Sequence, residues 1–381
     1  MDYPAIKPAM GGSRLSQTQI ILGGLQWGIG VELTDGPDGT LWQLLKLMDG
    51  SRTRAQIVST LTSEHPGLNS QSVLEAIDSL IGEGFVEDAA APLPPELDAD
   101  ELERYERSRH YFARIERRPR PSPWDIQCRL KRSRVCVLGL GGVGSAVAAS
   151  LVATGVGTLT CVDHDTVSVS NLNRSLLYSE EDVGRSKVDV AVRKLGRLNH
   201  HVEVRGIDRW LGCSADFDEL LVGQDLVVLC ADKPPIVIAQ WMNRAALRTG
   251  TPWQLCLYSG PMAVTGIFLP GQTACWGCIP GSDGEFPDVA DVQLLGNYEP
   301  HAVIAPSANL TGQTGALTAT YFLAGLPVQA VGRVLHHSLT RLDHAYFVEP
   351  MSEPCGICGR EVDPPEQELC VTSGSARGGE R

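Results

Sequence analysis

Positive charge is in short supply in this chain of 381 residues. Its 32 Lys and Arg residues stand against 45 Asp and Glu residues, which gives a net charge of −13. A protein surface that binds nucleic acid must carry the charge opposite to phosphate, so this balance argues against a nucleic-acid partner. With 43% hydrophobic and 20% charged residues, the composition is that of a soluble globular protein with room for two or three domains.

Long hydrophobic runs and a secretion signal are missing as well. No apolar stretch approaches the length that a bilayer-spanning helix needs, and the opening residues MDYPAIKPAMGGSR lack the charged-then-apolar pattern of a signal peptide. The 11 cysteines are an odd number that fits no disulfide framework, and most stand singly in apolar segments, as reduced core thiols do. These absences predict a cytoplasmic protein with no membrane partner.

Residues 18–90 are predicted to form a small domain between a flexible tail (1–17) and a Pro-, Ala- and acid-rich linker (91–100). Two short strands, TQIILGG and GVELTDG, precede three helices, and this order predicts a winged-helix-like fold. Asp38 is the expected N-cap of the first helix and Gly50 its end. Over residues 1–90, 5 basic side chains stand against 11 acidic ones, which argues against DNA binding.

A larger domain is predicted over residues 101–360, opening with a helix in ELERYERSRHYFARIERR. Strand-like runs such as RVCVLGL, TLTCVDHD and DLVVLCAD alternate with helical stretches, which predicts an α/β fold with a largely parallel sheet. Residues 361–381 are predicted to be a disordered tail.

The stretch RVCVLGLGGVGSAVAASLVATGVGTLTCVDHD carries the pattern G-x-G-x-x-G as Gly139, Gly141 and Gly144, and Asp163 follows about 20 residues on. This is the fingerprint of a strand, turn and helix that bind a dinucleotide. The glycines permit a tight turn, and the helix N-terminus holds phosphate. The pattern leaves open whether the ligand is a nicotinamide cofactor or another nucleotide.

The residues that follow Asp163 favour a triphosphate. Asn171, Arg174 and Lys187 place an amide and two cations within 25 residues of it. Backbone amides alone can hold the pyrophosphate of a nicotinamide cofactor, whereas a departing pyrophosphate needs added positive charge. Asp232 ends the strand-like run LVVLCAD, at the edge where α/β folds bind ligands, and its carboxylate suits Mg²⁺.

Two CxxC pairs, Cys275 with Cys278 and Cys355 with Cys358, lie nearly eighty residues apart. A glycine in each pair permits the tight turn that directs two sulfurs at one tetrahedral ion. A redox CxxC would instead begin a helix after a strand, and two of them would be unusual in one chain. The pairs therefore predict a structural zinc site. Four sulfur ligands would leave the ion no open coordination position, so it would not be catalytic.

Taken in order, GxGGVGS, DxDxVxxSNLNR, GxxK, a strand-terminal Asp and two CxxC pairs resemble the E1-like, ThiF-type superfamily of ATP-dependent adenylating enzymes. The resemblance covers about 101–360 and implies a Rossmann-like adenylation domain. It also implies roles for individual residues: Gly139, Gly141, Gly142 and Gly144 line the nucleotide, Asp163 binds the ribose hydroxyls, Asn171, Arg174 and Lys187 face the phosphates, and Asp232 is the Mg²⁺ ligand and catalytic acid.

In that superfamily an RYxRQ segment donates an arginine across a homodimer to the partner's triphosphate. The segment here is RYERSRH, so Arg107 matches and Arg109 is its rival. Ser108 replaces the usual Gln, and Lys233 replaces the Asn that usually follows the strand-terminal Asp; the register of the arginine and the role of residue 233 are therefore open.

The N-terminal pattern LMDGSRTRAQIVSTL…VLEAIDSLIGEGFVED resembles the PqqD-like recognition element of enzymes that modify ribosomally made peptides. The resemblance implies that a leader peptide docks as an added strand along the small sheet and in the adjoining helix groove. It predicts ATP- and Mg²⁺-dependent adenylation of a carboxylate on such a peptide during maturation of a ribosomally synthesised and post-translationally modified peptide (RiPP), with release of pyrophosphate.

Two alternatives stay open: adenylation of the C-terminus of a ubiquitin-like or sulfur-carrier protein, and a non-catalytic scaffold that delivers peptide to a partner cyclodehydratase. Many relatives relay the acyl group through a cysteine on the loop after the first CxxC, but residues 279–318 contain none. Thiol relay is thereby disfavoured, with Cys213 and Cys370 as the remaining candidates. The five polar side chains at the nucleotide argue against the scaffold.

Overall fold

The chain divides into two compact units, Met1–Arg129 and Leu130–Arg381. The structure is a computed structural model that describes residues 1–24, 30–116, 118–282, 302–351 and 355–359. The tail predicted at 361–381 lies outside the described residues. Within those ranges, no helix has the length and apolarity needed to cross a bilayer.

The first unit combines two small antiparallel sheets with helices. One sheet pairs β1 with β5, and the other has the order β2-β3-β4. This arrangement of a three-stranded sheet with three short helices is winged-helix-like, as the sequence predicts. The elements are β1 (Pro4–Ile6), β2 (Gly12–Arg14), β3 (Gln19–Leu22), β4 (Val31–Thr34), α1 (Thr40–Leu47), α2 (Arg54–Glu64), α3 (Ser70–Gly82), β5 (Val86–Asp88) and α4 (Ala99–Ile115), and α5 (Asp125–Arg132) crosses into the second unit.

Side-chain caps explain where α2, α3 and α4 begin. Thr53 accepts a hydrogen bond from the Gln56 amide while the Gln56 side chain accepts one from the Thr53 amide. Asn69 caps α3 by accepting the Gln71 amide, and Asp98 forms the same reciprocal pair with Glu101 at the start of α4. These bonds satisfy amides that a helix start would leave unpaired. The apolar stripes of the helices then meet in one core, whose buried members include Ile20, Leu44, Ile57, Leu61, Val73 and Ile77.

The start of α1 differs from the prediction. Gly39, not Asp38, is its N-cap residue, with φ of 71°. Asp38 instead accepts a hydrogen bond from the Thr40 hydroxyl at 2.6 Å. The buried Asp35 carboxylate accepts hydrogen bonds from the amides of Leu41 and Trp42 at 2.9 and 3.2 Å. It can do so because the loop before α1 folds back over the start of the helix.

The N-terminal residues and the domain boundary also differ from expectation. Residues 1–17, predicted to be a flexible tail, contain β1 and β2, which pair with β5 and β3. Met10 from this segment is 1% exposed in the core, so burial holds the segment in place. Helix α4, expected to open the larger domain, belongs to the first unit, so the division falls after residue 129 and not in the linker at 91–100.

The second unit contains an eight-stranded sheet with the order β13-β12-β11-β10-β9-β6-β7-β8. The strands from β8 to β10 run parallel, and β11, β12 and β13 add antiparallel neighbours at one side. Its elements are β6 (Arg134–Leu138), α6 (Gly142–Thr154), β7 (Thr158–Asp163), α7 (Lys187–Leu198), β8 (Glu203–Asp208), α8 (Ala215–Leu221), β9 (Leu226–Leu229), α9 (Val237–Thr249), β10 (Trp253–Ser259), β11 (Met262–Phe268), α10 (Ala305–Ala324), β12 (Val334–Ser338) and β13 (Ala345–Val348).

Alternate residues of the central strands enter different cores. Val135 and Val137 of β6 pack with α6, α7 and α10, whereas Cys136 and Leu138 pack with α8 and α9 on the opposite face. A strand covered on both faces is apolar throughout, which is why RVCVL reads as one hydrophobic run. The result is a three-layer, doubly wound α/β fold.

The strand order fixes where a ligand can bind. Strands β6 and β9 are parallel neighbours, but the helix after β6 packs on one face of the sheet and the helix after β9 on the other. The connections therefore diverge at the carboxyl ends of β6 and β9 and open a crevice there.

Candidate functional site

The turn from β6 into α6 forms one wall of this crevice, and its glycines have different tasks. Gly139 has φ of 88°, and a Cβ there would lie 2.7 Å from the Ala231 amide nitrogen. A Cβ on Gly144 would lie 1.8 Å from the Gly139 carbonyl oxygen. Both glycines are required because backbone passes too close for a side chain.

Gly141 and Gly142 occupy the start of α6. Gly141 is the N-cap residue, and a Cβ on it would meet no atom of the described residues within 4 Å. A Cβ on Gly142 would lie 3.1 Å from Cγ of Arg174. The turn is therefore packed by protein at Gly139 and Gly144 and is open at Gly141, beside the helix N-terminus that favours phosphate.

Asp163 ends β7, as the fingerprint requires, and its carboxylate is already engaged. Oδ2 accepts the Leu140 amide at 2.7 Å, and Oδ1 accepts the Asp165 amide at 2.9 Å. Each oxygen keeps a further lone pair, so the carboxylate can still accept hydroxyl hydrogen bonds. Asp163 thus braces the glycine turn as well as facing the crevice.

Lys187, the first residue of α7, is brought next to Asp163. Its ammonium lies 2.9 Å from Oδ2 of Asp165 and 3.8 Å from Oδ2 of Asp163, and the residue is only 6% exposed. Burial alone would raise the pKa of Asp165, but Lys187, His164 and Lys233 lower it. Sequence reasoning assigned no role to Asp165, although it is the second acid of the DxD pattern.

The segment between β7 and α7 brings Asn171 and Arg174 to the same end of the sheet. Asn171 is buried, and its side chain accepts the Ser168 amide at 3.1 Å, so in this structure it acts as a turn cap. Arg174 is half-buried and donates to the Ser170 carbonyl at 2.7 Å and to Oδ1 of Asn173 at 3.0 Å. Of the two, Arg174 is the one that lies over the start of α6.

Asp232 is exposed just beyond β9, in the connection whose Ala231 packs against Gly139. Its charge acts on Tyr258, near the end of the neighbouring strand β10. Burial raises the pKa of Tyr258 and Asp232 raises it further, whereas Arg174 lowers it. The three side chains therefore share one region of the crevice. Tyr258 is a site residue that the sequence motifs did not indicate.

The two candidate arginines of α4, in the first unit, have different surroundings. Arg107 is exposed. Arg109 donates to Oε1 of Glu87 at 3.2 Å and lies over the Trp124 ring at 5.5 Å, with its side chain 13% exposed. Arg109 is thus engaged within its own unit, which leaves Arg107 as the arginine available to a ligand.

The four CxxC sulfurs converge in the second unit. Sγ of Cys278 lies 3.4 Å from Sγ of Cys355 and of Cys358, and 3.9 Å from Sγ of Cys275. A tetrahedral zinc with bonds of about 2.3 Å places its sulfurs about 3.8 Å apart. The sulfurs of this cluster lie 3.4–3.9 Å apart, close enough for the four to be directed at one ion. A Cβ on Gly277 would lie 2.7 Å from Cδ1 of Ile357, so the close approach depends on that glycine.

A doubly wound sheet with a glycine turn and two cations at its switch point defines an α/β nucleotide-binding enzyme. The chain belongs to the ThiF family, whose model matches residues 112–356.

Relatives with a named activity agree with this family assignment. The chain is 30% identical over 246 residues to the molybdopterin-synthase adenylyltransferase of Escherichia coli (strain K12), covering 62% of this chain and 91% of that protein. It is 32% identical over 278 residues to the sulfur carrier protein adenylyltransferase of Thermus thermophilus, covering 71% and 94%. The protein is therefore an ATP-dependent adenylyltransferase of the E1-like ThiF family.

Solved structures share the fold over nearly the whole chain. E. coli MccB with ATP superposes with a TM-score of 0.74 at 21% identity, covering 94% of this chain and all of that one. PaaA superposes with a TM-score of 0.69 at 22% identity, covering 91% and 100%.

Proposed function

We propose that this enzyme adenylates a carboxylate of a ribosomally made precursor peptide, with residues 18–90 holding the leader segment. The observation that carries the nucleotide chemistry is the glycine turn with Arg174 over its helix N-terminus and Lys187 beside Asp163. The substrate carboxylate attacks the α-phosphorus of ATP, the bond to the β-phosphate oxygen breaks, and pyrophosphate leaves.

The chain's own residues divide this work. Gly139, Gly141, Gly142 and Gly144 form the turn that receives the nucleotide, Asp163 accepts the ribose hydroxyls, and Asn171 shapes the facing loop. Arg174 and Lys187 stabilise the charge of the departing pyrophosphate. Mg²⁺, held by Asp232 directly or through water, would neutralise phosphate charge when bound.

Arg107 of the partner subunit completes the cation set in this proposal, which makes the enzyme a homodimer. Its exposure supports the assignment, because a donated arginine must be accessible. Arg109 is already paired with Glu87 and stacked on Trp124. The four-cysteine cluster would hold zinc as a structural ion, since four thiolates leave no open coordination position.

The edge of β4 supports a docked peptide. Among the described residues, β4 pairs only with β3. The Asp35 amide donates to the Thr18 carbonyl at 2.8 Å, so the pairing alternates such that the backbone groups of Glu32 and Thr34 point away from β3. Unpaired strand groups of this kind accept an added strand.

Adenylation of a sulfur-carrier protein is the second candidate, and the names of the curated relatives favour it. The solved structures favour the peptide, because they include E. coli MccB with AMPCPP and MccA. The missing cysteine in residues 279–318 disfavours thiol relay, although residues 283–301 of that loop lie outside the described ranges.

ATP–pyrophosphate exchange and AMP release would separate these candidates. The full-length enzyme is assayed with a peptide encoded by a neighbouring gene and, separately, with a sulfur-carrier protein. Peptide-dependent AMP formation that disappears in Asp232→Ala but persists in Asp343→Ala, an exposed acid in a turn, supports the first proposal. AMP formation with the carrier alone supports the second. Tight peptide binding with neither pyrophosphate exchange nor AMP release under any condition contradicts both.

A backbone substitution tests the docking edge. Glu32→Pro removes an amide that points outward and leaves the β3–β4 hydrogen bonds in place. Glu32→Ala removes the same side chain, including its contact with Gln19, but keeps the amide. Peptide affinity should fall in the Pro variant and not in the Ala variant. Equal affinities in both variants would show that the peptide binds elsewhere.

A further inference from the structure

Both backbone polar groups of Leu140, inside the glycine turn, have side-chain partners. Its amide donates to Oδ2 of Asp163 at 2.7 Å, and its carbonyl accepts the Tyr178 hydroxyl at 2.8 Å. Leu140 is fully buried and Tyr178 is 6% exposed, so water cannot substitute for either bond. The Tyr178 bond joins the turn to a segment 38 residues further along the chain.

Several contacts fix the Tyr178 ring. It packs with Val167 and Val190 in a small core of its own. The next residue, Ser179, donates its amide and hydroxyl to the buried carboxylate of Asp182, at 3.0 and 2.8 Å. Arg193 and Lys194 of α7 also bond to that carboxylate. These contacts hold the Tyr178 hydroxyl against the Leu140 carbonyl and connect the Tyr178 segment to α7.

The hydroxyl acts only as a donor here. Burial raises the pKa of Tyr178, and the charges of Asp163, Asp165 and Asp182 raise it further. The group stays protonated throughout the physiological range, and a buried backbone carbonyl is a suitable acceptor for it.

The direction of this bond matters for the nucleotide. In a trans peptide the carbonyl of one residue and the amide of the next point in opposite directions. Because the Leu140 carbonyl is directed at Tyr178, the Gly141 amide points away from Tyr178. Gly141 is also the residue of this turn on which a Cβ would meet no described atom within 4 Å. If the Leu140–Gly141 peptide flipped, its carbonyl oxygen would face the phosphates in place of the Gly141 amide.

We propose that Tyr178 is a positioning residue for ATP, whose hydroxyl keeps the Leu140–Gly141 peptide turned so that its amide is presented to phosphate. This inference rests on the proposed nucleotide site and adds a residue outside the motifs that define it. Tyr178 touches the turn and not the ligand, so its effect reaches ATP through the Gly141 amide.

Calorimetric titration with Mg·ATP and with adenosine tests the proposal on the full-length protein. Tyr178→Phe keeps the ring in its apolar pocket and deletes only the hydroxyl. Tyr346→Phe deletes the same atom from an exposed tyrosine of β13 and is the matched control. Adenosine lacks phosphates, so it reports on the rest of the pocket.

Tyr178→Phe should weaken ATP binding roughly five- to tenfold, the effect of one lost hydrogen bond, and leave adenosine affinity unchanged. Tyr346→Phe should match the wild type for both ligands. Equal ATP affinity in Tyr178→Phe and wild type overturns the proposal, and so does an equal loss for ATP and adenosine, which would indicate a general structural role. A wild-type protein that binds no ATP overturns the nucleotide site itself.

Discussion

Two glycines of the same turn should respond differently to alanine. In Gly144→Ala the new methyl would lie 1.8 Å from the Gly139 carbonyl oxygen, so the strand and helix must separate. We expect a loss of about 3 kcal/mol or more of unfolding free energy. In Gly141→Ala the methyl meets no described protein atom within 4 Å, and the loss should be about 1 kcal/mol or less, the cost of a poorer N-cap.

The Gly141→Ala variant should also differ from wild type in its affinity for ATP. Gly141→Ala should fold normally and bind ATP at least tenfold more weakly, because its methyl fills space meant for the ligand. Denaturant unfolding and calorimetry on the two variants check both expectations. A Gly141→Ala protein with wild-type ATP affinity would place the nucleotide elsewhere.

At the residue scale, the motifs predicted residue types and order but not the contacts among them. The pattern placed Asp163 at the end of β7, yet not its bonds to the amides of Leu140 and Asp165. Tyr178 and Tyr258 carry no signal in the sequence, since each depends on a partner that only the tertiary fold brings near. Spacing along the chain reports local geometry and is silent on such pairs.

The end of α4 carries a pH-dependent contribution to stability. Burial alone would raise the pKa of Glu116, but hydrogen bonds from Arg118 and Arg120 lower it to about 2. Because the folded-state pKa lies below the unfolded one, this stabilisation is complete above about pH 4.5 and is lost as the pH falls towards 2.

Glu116→Gln should therefore cost roughly 3 kcal/mol at neutral pH. The difference from wild type should narrow by about 1 kcal/mol between pH 7 and pH 4, as measured by denaturant unfolding. Glu103→Gln, which neutralises an exposed acid on the same helix, is the control for the substitution itself. A gap between Glu116→Gln and wild type that stays constant with pH would contradict the argument.

At the element scale, the helices and the four-residue strands β3 and β4 were predictable, whereas the three-residue strands β1 and β2 were not. Caps such as Thr53 with Gln56 and apolar spacing mark α2 and α3 in the sequence. Strand β1 has three residues and pairs with β5 some eighty positions away, so it has neither periodicity nor a local turn to mark it. The cap of α1 by Asp35 was missed because the folded-back turn, not adjacency, sets the contact.

The proposed homodimer can be tested by mixing inactive variants. Arg107→Ala and Asp232→Ala should each abolish AMP formation. When they are co-refolded in equal amounts, mixed dimers carry one intact site, which restores about a quarter of wild-type activity. Arg109→Ala alone should lower the stability through the lost Glu87 pair and keep AMP formation, because Arg109 is engaged within its own unit. No recovery on mixing would show that Arg107 does not act across subunits.

Zinc should be an integral part of the second unit. The protein purified without chelator should contain about one zinc per chain by elemental analysis. Cys355→Ser should lose the metal and unfold at a lower temperature, because the ion closes a loop of nearly eighty residues. Cys213→Ala, which removes a buried thiol outside the cluster, should retain the metal. A metal-free wild type of normal stability would refute the assignment.

At the scale of the whole molecule, the order of motifs predicted the second unit well, because a doubly wound sheet follows from alternating strands and helices. The placement of α4 in the first unit was not predictable, since the linker at 91–100 resembles a boundary in composition alone.

The unequal accessibility of the thiols has a practical consequence. Burial raises the pKa of Cys161 to about 12 and that of Cys136 still further, so both stay as unreactive thiols. Cys358, at the rim of the four-sulfur cluster, is exposed. An alkylating reagent would therefore spare these two core thiols. If the cluster holds the proposed zinc, the reagent would modify Cys358 only in molecules without the ion, and the extent of labelling would give the metal-free fraction of a preparation.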